Sequence, residues 1–329
     1  MIHKRLRILI NYFVGPAIFL WLAISIYHQI QQQQNVYGIW KNIATSFGII
    51  EWSKMGIVLF LMLINWGLEA RKWQLLVHEI ENISFFTSFK AIFSGEAFAF
   101  GTINGVGEYI GRSIYMHEGN RIRSIFVTMV GSLAQLIITV TMGTIGLLYL
   151  RYFFNFILNP FSELSIVWLD GLIYILIIIG VLMVSLYFSL SWVTKTVEKI
   201  PWIAKYSFFI QKVEDFHWKE LTRILNLSFA RYLVFISQYL LLLQVFKVDA
   251  SYIQEFWLLC IMFLALAIVP SITLAEIGLR GKLSIALLGL ISTNTIGIIL
   301  TATGVWIINK VVPAVVGTIF VLGIRLFKK

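Results

Sequence analysis

The stretch Gly101–Arg112, GTINGVGEYIGR, interrupts apolar sequence with four glycines, a carboxylate at Glu108 and a guanidinium at Arg112. A charged side chain at bilayer depth costs roughly 2.5–3.5 kcal/mol on insertion scales. Non-helical backbone at that depth is tolerated only where it is buried in protein or lines a water-filled cavity. We therefore interpret this stretch as the tip of a re-entrant hairpin that lines a polar cavity. An ordinary cytoplasmic loop between two spans is the alternative interpretation.

The composition predicts an integral membrane protein. Of the 329 residues, 59% are hydrophobic and 13% are charged, whereas soluble domains carry about 25% charged residues. The formal net charge of +10 fits the excess of Lys and Arg at cytoplasmic membrane surfaces and their attraction to anionic lipids. We therefore expect no nucleic-acid partner. The single cysteine, Cys260, excludes an intramolecular disulfide.

The apolar runs predict an all-α polytopic membrane protein with about six full spans and two re-entrant helical hairpins. The predicted spans are Ile8–Tyr27, Met55–Leu76, Ser124–Leu150, Leu164–Leu190, Leu221–Val245 and Thr301–Ile324. The first span follows the basic segment HKRLR and precedes no small-residue cleavage site, so we expect it to be retained. Basic residues at both ends of the chain predict cytoplasmic N- and C-termini. Residues 1–329 are predicted to form a single transmembrane domain.

Two shorter apolar stretches are predicted to begin the hairpins. Phe85–Phe100 carries two charged residues and is too short for a comfortable span of about 20 residues. Tyr252–Val269 is similarly short, and it is followed by the break Pro270–Gly281, PSITLAEIGLRG, and a predicted return limb Lys282–Leu300. Residues 191–220 are polar and basic with interleaved aromatics. They predict either a cytoplasmic amphipathic helix or a simple connecting loop.

The two breaks are related by an internal repeat. Ile110–Gly111 and Ile277–Gly278 are 167 positions apart, and other residues match at the same offset. The two copies are 55–150 and 221–325, and charge counting places the entry of the first copy's hairpin on the cytoplasmic side and that of the second copy's hairpin on the outside. The sequence therefore predicts an inverted-topology repeat, which places a substrate site near the midplane where two broken elements meet.

The polar residues of these segments are the candidate site. Each break contains Glu-x-x-x-Arg, whose two charges share a helix face and partly neutralise each other. In one interpretation this pair only makes the hairpin insertable. In the other, the carboxylates contact cationic groups and the arginines contact phosphate. The residues of the two pairs are Glu108 with Arg112 and Glu276 with Arg280.

Three further polar residues lie within the predicted spans. Asn65 and Glu69 are four residues apart on one helix face, a turn deeper than the basic residues at the end of the span. Arg231 lies about eight residues inside its span, roughly 12 Å from the membrane surface. That depth is far for snorkelling, so we expect its guanidinium to face the protein interior.

The sequence shows no motif of metal or nucleophile chemistry. Its three Asp are unpaired, its five His have no metal-ligand spacing, and no GxSxG, P-loop or CxxC occurs. We therefore predict no catalytic residue, metal or cofactor and a non-enzymatic function. A metal-free intramembrane transferase that uses Glu and Arg is the alternative.

Four segments carry a family resemblance. They are Asn65–Leu76, NWGLEARKWQLL; Gly105–Arg112, GVGEYIGR; Val269–Gly281, VPSITLAEIGLRG; and Asn309–Gly317, NKVVPAVVG. They resemble the lysylphosphatidylglycerol synthase transmembrane, or flippase-like, domain family from about Met55 onward. In its large members, the bacterial multiple peptide resistance factors, this domain is coupled to a cytoplasmic aminoacyltransferase domain. It moves aminoacylated phosphatidylglycerol to the outer leaflet.

The resemblance implies the lipid-translocating half without the synthase domain, which the 329 residues do not contain. It implies a location in the bacterial cytoplasmic membrane and a separate synthase as a candidate partner. Thr102 and Ile103 stand where Thr-Pro is usual, and 273–275 replaces small glycines, so the headgroup choice is expected to differ. The cavity residues that it implies are Glu108, Arg112, Glu276, Arg280 and Lys310.

The predicted function is therefore translocation of a phospholipid or glycolipid, with the headgroup in a central polar cavity and the tails in the bilayer. A headgroup with phosphate and amine would suit a site that holds both Arg and Glu. Membrane lipids are the expected partners, and the sequence leaves a homodimer open. The alternatives are a membrane-embedded glycosyltransferase or its accessory subunit acting on a lipid carrier, and a non-transporting scaffold with a dry, filled interior.

Overall fold

The computed structural model describes residues 47–100, 102, 104–153, 163–197, 216–270 and 273–327, together with the single residues 24, 38, 41 and 45. Across these ranges the secondary structure is helical, with no β-strand. The predicted all-α fold class is therefore confirmed. The predicted first span lies outside the described residues apart from residue 24, and so does most of the predicted connector 191–220.

The helices are numbered here in chain order. They are α1 Ile49–Val77, α2 Phe85–Ala99, α3 Gly107–Ser113, α4 Arg121–Phe153, α5 Glu163–Phe188, α6 Leu190–Val197, α7 Trp218–Val245, α8 Tyr252–Ile268, α9 Thr273–Leu288, α10 Thr295–Trp306 and α11 Val312–Phe327. A 3₁₀ turn, Glu118–Asn120, precedes α4, and a π-helical turn, Ile307–Val311, joins α10 to α11.

Five of the described helical segments are long and apolar enough to cross a membrane. They are Ile49–Val77, Glu118–Phe153, Ile166–Phe188, Trp218–Val245 and Thr295–Gly323. Each overlaps one of the predicted full spans. Their length and composition are those of a multi-pass helical membrane protein.

The predicted return limb Lys282–Leu300 and the predicted last span Thr301–Ile324 have different boundaries in the structure. The range Lys282–Leu300 was predicted as one limb, but α9 ends and α10 begins within it. Asn294 caps α10, because its side-chain oxygen accepts a hydrogen bond from the backbone N of Gly297 at 2.8 Å. The last span therefore begins at Thr295, whereas the sequence predicted Thr301.

The two short limbs, α2 and α8, begin at matching points of the chain. Phe85 and Tyr252 are 167 positions apart, and each follows a serine N-cap, Ser84 or Ser251. With 15 and 17 residues, the limbs extend roughly 22 and 26 Å, less than the roughly 30 Å of a bilayer core. Neither limb is long enough to cross a membrane upright.

The first break is a tight turn between α2 and α3. Asn104 and Gly105 adopt φ of 51° and 67°, the left-handed region that Asn and Gly tolerate best. The Thr102 hydroxyl accepts a hydrogen bond from the backbone N of Gly107 at 2.9 Å and donates to the Ala99 carbonyl at 3.1 Å. Thr102 therefore ties the end of α2 to the start of α3.

Gly107 and Gly111 of the first break allow α3 to fold back onto α2. A Cβ on Gly107 would overlap the carbonyl of Phe98. One on Gly111 would lie 2.7 Å from both the Cα of Gly95 and the carbonyl oxygen of Ser94. The glycine-rich composition therefore reflects backbone contact between two short helices.

The short limb of each predicted repeat copy, 55–150 or 221–325, packs against a helix of the other copy. Helix α1 packs along α7, whereas limb α2 packs against α11 and limb α8 packs against α4. Glycines permit both limb contacts, because Gly317 of α11 lies against the carbonyl of Phe93, and Gly146 of α4 lies against the carbonyl of Trp257. Phe93 lies next to Gly317, and Cys260 lies next to Gly146. These two limb residues are again 167 positions apart.

We expect Gly317→Ala to lower the thermal stability of the detergent-solubilised protein. The added Cβ would overlap the Phe93 carbonyl and force α11 away from α2, and overpacking of this kind costs roughly 1–3 kcal/mol. Gly323→Ala, on the same helix but with open space around the added Cβ, is the matched control. Equal unfolding temperatures for the two variants would contradict the close α2–α11 contact.

Candidate functional site

A cavity of about 450 Å³ lies between the helices of both halves. A second cavity of about 320 Å³ shares part of its lining with the first, including Glu276 and Lys310. The second cavity is lined by the first break, at Gly105 and Glu108, and by the second break, at Pro270. The two glycine- or proline-containing breaks therefore lie at one shared polar space.

The eight predicted site residues all lie at this space or directly behind it. The residues that line one or both cavities are Asn65, Glu108, Arg231, Glu276, Arg280 and Lys310. The other two, Glu69 and Arg112, line neither cavity, and they are ion-paired with Arg231 and Glu108. The structure thus brings together residues that the sequence separates by more than 200 positions.

Glu69 is the centre of a buried ion cluster behind the cavity. Its side chain is 5% exposed. Its carboxylate accepts a hydrogen bond from Arg112 Nη1 at 3.0 Å and forms ion pairs with Lys72 Nζ at 2.7 Å and Arg231 Nη1 at 3.0 Å. Three cations thus contact one carboxylate. The cluster joins α1, α3 and α7, so the first break is connected to the cavity wall.

Arg231 faces the interior, as its depth in the span predicts. Its Nε donates to the Asn65 side-chain oxygen at 3.2 Å, and its guanidinium carbon lies 5.3 Å from the centroid of the Trp66 ring. The ion pair with Glu69 and this cation–π contact fix the guanidinium at the cavity wall. The prediction of an interior orientation is therefore confirmed.

Both Glu-x-x-x-Arg pairs form the predicted ion pair within one helix face. Glu108 contacts Arg112 on α3, and Glu276 contacts Arg280 on α9 at 2.5 Å. Arg280 is held further by its Nη1, which donates to the Tyr239 hydroxyl at 2.8 Å. Each break thus presents a carboxylate at the cavity and keeps an arginine behind or beside it.

Lys310 joins the last span to the first hairpin. It lies in the π-helical turn, a geometry that is found frequently at functional sites. Its Nζ lies 3.1 Å from Oε2 of Glu96, a carboxylate on α2 that is 4% exposed. The neighbouring Asn309 accepts from the Asn65 side-chain amide at 3.3 Å. The π-helical turn therefore places two consecutive polar side chains against the first half of the chain.

Several polar residues of the site were not predicted. Glu96 and Lys72 complete ion pairs, and Gln135 and Thr139 of α4 line the larger cavity with polar groups. Glu96 and Gln135 each carried a signal, because each is a polar residue inside an apolar segment. Lys72 was interpreted as a basic residue at the cytoplasmic end of a span, but it is 2% exposed and lies inside the protein.

Across the described ranges, no group of three or more His, Cys, Asp or Glu is placed to hold a metal ion. The cavity instead combines cationic donors, carboxylates and apolar walls such as Phe235 and Phe263. Guanidinium groups match the geometry of phosphate oxygens with paired donors. The arrangement is therefore suited to binding a charged polar group next to an apolar body.

Glu69→Gln is expected to destabilise the protein strongly. The substitution leaves three cations, two of them buried, around a neutral amide, and breaking a buried ion pair in this way costs roughly 3–5 kcal/mol. The measurement is the unfolding temperature in detergent. Glu118→Gln, at a side chain that is 91% exposed, should leave that temperature unchanged. If Glu69→Gln lowers the unfolding temperature no more than the control does, the cluster does not hold the helices together.

Comparisons of the chain with protein-family models, with curated proteins and with solved structures gave no match. The resemblance to the flippase-like domain family therefore stays a prediction, and the function has to be inferred from the geometry of the cavity.

Proposed function

We propose that this chain binds the headgroup of a phosphate-bearing polar lipid in the central cavity and moves it between the two leaflets of a membrane. The observation that carries the proposal is the meeting of the two charged breaks at one cavity, lined by Glu108, Glu276 and Lys310. Charged groups at membrane depth are costly and mark substrate pathways. A lipid headgroup is the charged cargo that a membrane itself supplies.

The size of the cavity supports a headgroup as the ligand. Its larger part measures about 450 Å³, within the roughly 300–1,000 Å³ of small-molecule sites. That volume suits a headgroup without its acyl chains. The tails would stay in the bilayer, next to the exposed apolar side chains that flank the breaks, namely Val106, Ile110, Ile268 and Val269.

The second part of the proposal is an inverted repeat of about six full spans and two re-entrant hairpins. The equal offset of the helix starts at Phe85 and Tyr252 supports a repeat. The exchanged packing of α2 with α11 and of α8 with α4 supports it as well, because each half makes the same kind of contact with the other. Alternating access would then arise from rocking of the two halves around the cavity.

The family resemblance supports the same function. The segments that carry it supply Asn65, Glu69, Glu108, Glu276 and Lys310, and these residues from four separate parts of the chain lie at or next to one cavity. Membership of the flippase-like family, location in the bacterial cytoplasmic membrane and cytoplasmic termini are parts of the proposal. The open cavity also weighs against a scaffold with a filled interior.

The double substitution Glu108→Gln and Glu276→Gln should abolish leaflet exchange of a fluorescent phospholipid in liposomes. Removal of both carboxylates leaves Arg280 without its carboxylate partner and Arg112 with only the shared Glu69, so an anionic headgroup would be held and not released. The matched control is Glu118→Gln on the exposed surface. Exchange by the double variant at the wild-type rate would remove these carboxylates from the mechanism. Turnover of labelled lipid in detergent would instead indicate a transferase.

Ala267→Cys is expected to react with a membrane-impermeant maleimide in the intact protein. Ala267 lines both cavities, so a thiol there should meet water. The native Cys260 on the same helix is fully buried and serves as the internal control. If the wild type and the variant are labelled to the same extent, the space between the breaks is dry and the proposed route for a headgroup is closed.

A further inference from the structure

The charged side chains around the cavity do not sum to a net charge of zero. With every group ionised, the cations are Lys72, Arg112, Arg231, Arg280 and Lys310, and the carboxylates are Glu69, Glu96, Glu108 and Glu276. Five positive charges thus accompany four negative charges in this cluster. An unbalanced charge inside a membrane protein is costly unless a ligand compensates it. One negative charge on the bound group would make the cluster neutral.

The surplus positive charge lies at Arg231. Glu276 pairs with Arg280, Glu96 with Lys310 and Glu108 with Arg112, but Glu69 alone faces Lys72, Arg112 and Arg231. Of the three cations on Glu69, only Arg231 lines the cavity. Its contacts with the described residues use Nε and Nη1, so within that part of the chain Nη2 is open to a ligand. A phosphodiester, with one negative charge and two free oxygens, matches this position.

Further polar atoms of residues in the cavity wall also have unused hydrogen-bonding capacity. Trp66 is 1% exposed, Arg280 6% and Trp306 8%, and each has an Nε donor without a partner among the residues that the structure describes. The side-chain oxygen of Gln135 is an acceptor without a described partner. All four residues line the larger cavity. A buried polar group without a partner costs roughly 1–3 kcal/mol, so a ligand that reaches these groups from the cavity would gain their hydrogen bonds.

The mixture of three donors and one acceptor distinguishes between headgroup types. An ammonium group only donates hydrogen bonds, so it could pair with the acceptor of Gln135. It could not pair with the two indoles or with Arg280, because these groups are donors too. A hydroxyl both donates and accepts, so a polyol next to the phosphate could satisfy all four residues. An added ammonium would also restore the positive charge that the phosphodiester had compensated.

We propose that the headgroup is a phosphodiester of single negative charge whose other polar groups are hydroxyls and not amines. This inference rests on the proposed binding of a lipid headgroup in the cavity and names the class of that headgroup. It differs from the sequence-based expectation of phosphate plus amine. The phosphodiester lies at Arg231, and the hydroxyls lie among Trp66, Trp306 and Gln135.

The test is competitive lipid binding to the purified full-length protein, measured by native mass spectrometry. Four probes with the same acyl chains are offered in equal amounts. Phosphatidylglycerol carries one negative charge and hydroxyls, phosphatidylmethanol the charge without hydroxyls, phosphatidylethanolamine an amine, and lysylphosphatidylglycerol two amines. We expect phosphatidylglycerol to be retained most and phosphatidylmethanol next, with both amine-bearing lipids behind. Equal or stronger retention of either amine-bearing lipid would overturn the proposal.

Two variants separate the two parts of the recognition. Arg231→Gln should reduce retention of both anionic lipids about 10- to 100-fold, since a hydrogen bond to a charged group is lost. Arg223→Gln, exposed on the same helix, is its control. Trp306→Phe keeps an aromatic side chain but removes the indole N–H. It should narrow the advantage of phosphatidylglycerol over phosphatidylmethanol by about 3- to 10-fold, whereas Trp168→Phe, 75% exposed, should not.

The outcomes distinguish this inference from the proposed function. Leaflet exchange in liposomes with a preference for an amine-bearing lipid would overturn the headgroup class and leave translocation intact. Specific retention of phosphatidylglycerol without any leaflet exchange would support the headgroup class and overturn translocation. If no lipid is retained above the level of detergent-exchanged controls, both proposals fail. If the Arg231 variant unfolds, the four-lipid comparison on the wild-type protein still decides the proposal.

Discussion

One carboxylate, Glu69, holds the centre of this molecule together. Its contacts with Lys72, Arg112 and Arg231 join two long helices to the short helix of the first break. In a low-dielectric interior, such a group is stable only while its partners stay in place. The position of the first break, the orientation of Arg231 and the shape of the cavity wall all depend on this cluster. A polar site can thus exist where the surrounding sequence is apolar.

Much of the architecture could be predicted because bilayer thickness imposes a length on each apolar run. Five of the predicted spans overlap long helices in the described part of the chain, and the two breaks follow short limbs at the expected places. The turn at Asn294 was not predicted, since the segment is apolar on both sides and the cap is a local hydrogen bond. Helix boundaries of this kind depend on one side chain and leave little trace in hydrophobicity.

The candidate site could be predicted in part for a similar reason. Charged residues inside apolar sequence, such as Glu108 and Arg231, stand out because the membrane makes them costly. Lys72 could not be distinguished from an ordinary basic residue at a helix end, because its burial is created by helices from the other half of the chain. The indoles of Trp66 and Trp306 look like membrane-interface residues in sequence, and only packing shows that they line a cavity.

The exchanged packing has a consequence for biosynthesis. Helix α2, near the start of the described chain, packs against α11, the last helix described. During translation the first hairpin can pack on α1 early, and its Arg112 can pair there with Glu69. The face of α2 that packs against α11 stays without its neighbour until more than 200 further residues have been made. The packing of the first half is thus completed only by a helix of the second half, whereas independent domains fold as units in the order of synthesis.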